Sequence, residues 1–124
     1  MKKIIAEGLA RLPSFCHAVV AGDTIYVSGS LGTLPNSMEL VPGGVGPETT
    51  QTIANIERIL DECGAGLNDI VKANVYVSDM STFSEMNEAY LEVFGESPPA
   101  RITVGGVALA LGAAVEIDCI AWKP

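Results

Sequence analysis

An arginine, two carboxylates, a Cys-His pair and a Ser-Gly-Ser run are the side chains of this sequence whose types and spacing could do chemistry. Arg101 follows Pro98-Pro99-Ala100 and opens the run Ile102-Thr103-Val104-Gly105-Gly106. A guanidinium at a strand start, set by rigid prolines and next to glycines that leave space, can hold a small carboxylate bidentately. A surface ion pair explains the same spacing. Glu116 and Asp118 lie within Ala114–Trp122, where alternation puts both acids on one face and Val115, Ile117 and Cys119 on the other. Together with Ile120 and Trp122 they read as a dyad, as half of a site at a subunit boundary, or as two ordinary solvated acids. Residues two apart on one strand face lie roughly 7 Å from each other, which suits all three.

Cys16 and His17 are adjacent. Neighbours on an extended chain point to opposite faces, which argues against a direct nucleophile–base pair and leaves His17 as a packed or surface histidine. It is the only histidine, so multi-histidine metal motifs are excluded. Ser28-Gly29-Ser30 lacks the flanking glycines of a nucleophile elbow, although its backbone could offer an N–H to an anion. No P-loop and no strand-linked GxGxxG is present. Cys16, Cys63 and Cys119 are odd in number and widely spaced, which supports neither a zinc site nor a disulfide framework; they read as reduced thiols of a cytoplasmic protein.

The elements that must position these groups follow from periodicity. His17–Val20 and Thr24–Ser28 are strands joined by Ala21-Gly22-Asp23, a hairpin signal, with Ile4 and Ile5 as a short edge strand. Leu34–Pro47 reads as a long surface loop with a short extended piece at Glu39–Val41. A helix is expected to begin with Pro47 at its first position and to bury Ile53, Ile56, Ile59, Leu60 and Cys63, with Gly64 and Gly66 ending it. Asp69–Asp79 alternates as a strand. Thr82 and Glu85 suggest a capping box for a second helix whose inner stripe is Phe83, Met86, Tyr90, Leu91 and Phe94, and Gly95 ends it. Pro98-Pro99 leads into a strand over Arg101–Val107, and Ala114–Trp122 is the last. The order β-β-α-β-α-β-β makes each helix a crossover onto one face of a mixed sheet. The other face has no helix to cover it, and its apolar content calls for another copy of the chain.

The chain has 124 residues, one domain by length, and is 48% hydrophobic with 18% charged residues, which excludes a disordered protein. A net charge of −8 repels phosphate backbones and anionic lipid, so nucleic acid is disfavoured as a partner. No apolar run reaches membrane-spanning length, and Glu7 and Arg11 break the N-terminal apolar stretch too early for a signal peptide.

Several segments together resemble the YjgF/YER057c/UK114 family, also called Rid (reactive intermediate deaminase). They are Gly22–Gly29, Asp69–Met80, Phe83–Tyr90, Pro98–Arg101 and Val115–Ala121, in family order over about residues 12 to 121. The resemblance implies an α+β, chorismate-mutase-like fold over residues 1–124: a mixed sheet with two helices on one face, assembled as a homotrimer around a central barrel with sites at subunit boundaries. It further implies hydrolysis of 2-imino acids such as 2-iminopropanoate and 2-iminobutanoate to 2-keto acids and ammonia, with no cofactor and no metal. Arg101 resembles the family's carboxylate-binding arginine and Glu116 the glutamate that positions the attacking water. Phe15, Ser28, Gly29, Asn87 and the Thr103 backbone fall on its substrate-binding positions. Arginine would neutralise the acid while the carboxylate orients water at an electrophilic imine carbon. Three departures stand out. Phe15 keeps the ring and lacks a phenolic hydroxyl, Ser30 replaces a common glutamine, and Gly105-Gly106 are expected to enlarge the pocket. The alternatives are a non-catalytic small-carboxylate-binding or chaperone-like trimer and, against the charge and the single histidine, an endoribonuclease or translation inhibitor.

Overall fold

The alternating run at residues 69–79 forms a strand inside a six-stranded mixed sheet. In the computed structural model, which describes residues 1–124, the elements are β1 (Lys2–Ile4), β2 (Ala18–Ala21), β3 (Thr24–Ser30), α1 (Val45–Glu62), β4 (Ile70–Val77), α2 (Phe83–Phe94), β5 (Ala100–Gly105) and β6 (Val115–Trp122). The sheet order is β1-β2-β3-β6-β4-β5. Only β4 and β5 are parallel, linked through α2, and the remaining pairs are antiparallel. The Gly22-Asp23 turn closes the β2–β3 hairpin at the Ala21–Thr24 pair, and the expected extended piece near residue 40 is a single bridge from Thr33 to Leu40.

The core lies between the sheet and the two helices. From the sheet it takes Val75, Val77, Val115, Ile117 and Ala121, and from α1 Ile53, Ile56, Ile59 and Leu60. Burying side chains of this size stabilises the fold by roughly 1.5–3 kcal/mol each, so the α1 stripe alone fixes the helix to the sheet. The opposite sheet face has no such cover. Tyr26, Ile102, Val104 and Trp122 remain substantially exposed there.

Local differences from the expected pattern have local causes. α1 begins two residues before Pro47, after Gly44 at φ 86°, so proline is third in the helix. The missing N–H does no harm, because the first turn's N–H groups have no intrahelical partner. Gly64, at φ +73°, turns the chain out of α1, whereas Gly66 is extended. The Thr82/Glu85 capping box does not form. Thr82 Oγ1 donates to the Asp79 carbonyl at 2.7 Å, and Asp79 instead accepts the Ser81 N–H at 2.9 Å, capping a 3-10 turn ahead of α2. Leu91 is exposed rather than part of the inner stripe of α2, since it sits one residue round the helix from the buried Tyr90. β5 stops at Gly105 because Gly106 adopts φ +74°.

Candidate functional site

Glu116 is held at a break in the sheet. β3 pairs with β6 in regular register from Thr24 to Val27, then shifts before Ser30 meets Ile117. Gly29 lies in that irregularity, and a Cβ there would collide with Glu116 Oε2, so the glycine is what gives the carboxylate its room. Ser28 Oγ donates to the Cys16 carbonyl at 2.7 Å and Ser30 Oγ to the Ser28 carbonyl at 3.0 Å, which stiffens the loop around it. Asp118, two residues along, is engaged differently: it accepts from Asn74 Nδ2 at 2.6 Å. Burial, and secondarily the Asp118 charge, pushes the Glu116 carboxyl above its ordinary range. A carboxylate raised this way is a better proton acceptor near neutral pH than a solvated one.

Glu116 opens onto a cavity of about 300 Å³ whose lining includes Phe15, Ser28 and Gly29. Leu9, Leu12 and Ile59 make much of its wall apolar. Arg11 also lines it, and two of its polar lining groups, Asn55 and His17, are committed elsewhere. Asn55 Nδ2 donates to the carbonyls of Leu31 and Thr33, both at 3.0 Å. His17, only 4% exposed, accepts the Ala6 N–H at Nδ1 (2.9 Å). Nε2 therefore carries the ring proton and donates to the Ala10 carbonyl at 3.1 Å. His17 is the packed histidine, and it anchors the segment that carries the cavity's N-terminal wall.

Arg101 lies elsewhere. It sits on β5, the edge strand, level with Ala73 of β4 on the helix-covered side. Its guanidinium carbon is 4.7 Å from the Tyr90 ring centroid and 5.6 Å from that of Phe83, both from α2. The chain's two ion pairs are Arg58–Glu62 and Lys123–Asp69, so Arg101 has no acid partner. Thr103 shares its face one register step along, beside Val75, and Asn87 is half-exposed on α2. Gly105 does not enlarge this region: a Cβ there would lie 2.8 Å from Met80 Cβ, so the glycine admits the Met80 side chain instead.

The structure thus brings Phe15, Ser28, Gly29 and Glu116 together and places Arg101, Thr103 and Asn87 at the β5–α2 edge. Glu116 aligns with Tyr76, and Tyr76 with Val104, whereas Arg101 aligns with Ala73, so the sheet separates Glu116 from Arg101 within one chain. The sequence reading missed Leu9, Asn55 and Ile59 as cavity residues. The available signal was Asn55, a polar side chain on the same helix stripe as Ile56 and Ile59.

The family model described as Endoribonuclease L-PSP matches residues 7–123. A 2-iminobutanoate/2-iminopropanoate deaminase of Bos taurus is 42% identical over 123 residues, covering 98% of this chain and 90% of that protein. A RutC family protein of Pyrococcus horikoshii is 38% identical and covers 99% of both chains. Among solved structures, the YjgF gene product of Escherichia coli superposes with a TM-score of 0.93 at 29% identity over the whole of both chains.

Proposed function

The chain belongs to the Endoribonuclease L-PSP family, the YjgF/RutC/UK114 proteins, and from that premise we propose that it hydrolyses 2-imino acids to 2-keto acids and ammonia. The observation that carries the reading is Arg101, a half-buried guanidinium without an acid partner in a chain of net charge −8. Its free donors suit a small carboxylate. Glu116, with its raised pKa, takes a proton from water as the water oxygen bonds to C2 of the imine. That proton passes to the imine nitrogen and gives a carbinolamine. Glu116 then carries the proton of the new C2 hydroxyl to the same nitrogen as the C2–N bond breaks, the C2 carbonyl forms and ammonia leaves. No redox change occurs, and the reaction draws only on substrate and water.

Arg101 and Glu116 lie on opposite faces of one sheet, so the reading requires Arg101 of one copy beside Glu116 of another. The exposed apolar face of Tyr26, Ile102, Val104 and Trp122 is the surface through which copies would associate, as a homotrimer. Light scattering should give three times the 12.9 kDa chain mass; a monomer at micromolar concentration would remove the shared site. The direct assay generates 2-iminopropanoate with a serine or threonine dehydratase and follows release of the keto acid. Acceleration by this protein is expected. Binding of pyruvate without acceleration would leave a carboxylate-binding protein and refute the enzyme.

A further inference from the structure

The three arginines of this chain are held in three different ways. Arg11 donates through Nη1 to the carbonyls of Leu12 and Phe15, at 3.2 and 2.9 Å. Arg58 pairs with Glu62 at 2.7 Å. Arg58 spends both terminal nitrogens of its guanidinium on the protein itself, and Arg11 spends one. Arg101 is held instead through the faces of Tyr90 and Phe83, seven residues apart and hence two turns apart on the same side of α2.

A cation held over aromatic faces spends none of its N–H groups on a carboxylate or carbonyl of the protein, whereas an ion pair consumes the donors that a ligand needs. A long side chain at an edge strand otherwise samples many rotamers, and each binding event must fix one of them. We propose that Tyr90 and Phe83 are positioning residues: they form an aromatic platform that pre-orients Arg101 for carboxylate capture without competing for its donors. This rests on the reading of Arg101 as the carboxylate-binding group.

The hydroxyl of Tyr90 identifies the ring as the working part. Tyr90 is 3% exposed, and its OH has no hydrogen-bond partner. Burial raises the phenol's pKa, so the group is a neutral ring at physiological pH. A buried hydroxyl with nothing to bond to costs stability, and its retention does nothing for Arg101. The platform therefore depends on an aromatic face and not on a phenol.

The test is calorimetric titration with 2-oxobutanoate, together with separate kcat and KM values from the dehydratase-coupled assay. Tyr90→Phe keeps the face and should bind like the parent. Tyr90→Leu should bind roughly three- to thirtyfold more weakly, through KM and with kcat little changed. Phe83→Leu, at a less buried position, should show a smaller loss in the same direction and serves if Tyr90→Leu does not fold. Parent-like binding by both leucine variants, with Arg101→Ala inactive in binding, would overturn the platform and leave the arginine's role standing. Parent-like binding by Arg101→Ala would overturn both. A loss in Tyr90→Phe equal to that in Tyr90→Leu would transfer the role to the hydroxyl and so also refute the platform.

Discussion

Around Glu116 the chain meets its own polar demands, and around Arg101 it does not. His17 and Asn55 beside the first are saturated by Ala6, Ala10, Leu31 and Thr33. Beside the second, Tyr90 OH and Thr103 Oγ1 are buried without a partner, and the guanidinium has no carboxylate. An unsatisfied buried polar group costs roughly 1–3 kcal/mol. The cavity half is thus a finished wall that one chain builds for itself, and the arginine half is an edge left unfinished within one chain. Substitutions in the first should act on chemistry or on folding, and those in the second on binding.

The largest effect should come from Glu116→Gln, which keeps the shape of the side chain and removes its basicity. Turnover is expected to fall by roughly 10²–10⁴ while pyruvate still binds. Stability should move the other way. The folded-state pKa of Glu116 is raised, so its contribution to stability is full below the unfolded pKa and is lost as pH rises through the folded value. The amide never ionises, and at neutral pH the variant should melt no lower than the parent. Turnover unchanged, or lost together with pyruvate binding, would break the division between the halves.

Arg101→Ala should lose roughly tenfold to a few hundredfold in kcat/KM, the scale of one charge-assisted contact, with only the small fall in thermal stability that losing its contacts with Tyr90 and Phe83 brings. The arginine contributes no ion pair to its own fold, so its removal breaks none. A large drop in melting temperature would show that Arg101 is structural and dissolve the contrast.

Asn55→Ala tests the finished wall. Two carbonyls, Leu31 and Thr33, lose their buried donor, which costs about 2 kcal/mol and should lower Tm by roughly 5–15 °C. An unchanged Tm would mean that the cavity wall is not held by this side chain.

The strands were legible because burial on one side writes alternation into them: Ala73 to Val77 gave away β4, and Val115 to Ala121 gave away β6. Val71, which the same alternation put on the drier face, is exposed where the β4–β6 register shifts. The α1 stripe was legible for the same reason at helical spacing. Legibility failed where distant segments decide the outcome. Nothing near Asn55 signals that its amide meets carbonyls more than twenty residues away, and nothing near Leu9 signals that it lines a cavity with Ile59. Thr82 and Glu85 have the capping-box spacing, but the competing acceptor at Asp79 lies outside that motif. The side of the sheet on which Arg101 and Glu116 stand follows from register between strands, which local alternation leaves open.

The smallest effect should come from Asp118→Asn, and it is the finest probe of the Glu116 half. Asp118 contributes to the raised pKa of Glu116 through its charge, after burial. It is also the leading cause of the raised pKa of the Tyr76 phenol, which lies on the same open face. An asparagine there still offers an oxygen to Asn74 Nδ2, so the local hydrogen bond can persist while the charge is gone. Both pKa values should then move down. In the proposed mechanism Glu116 acts as the ionised base, so the acid limb of the pH–rate profile should shift to lower pH and the plateau rate should stay as it was. For spectroscopy, the ultraviolet signature of tyrosinate should appear at lower pH than in the parent. A Tyr76 shift without a shift of the acid limb would mean that the titrating base is not Glu116. The converse would mean that the effect on the limb is not transmitted through the Asp118 charge. An equal loss of plateau rate in Asp118→Asn and Glu116→Gln would make the two acids a functional pair, against the separate engagement that Asn74 gives to one of them.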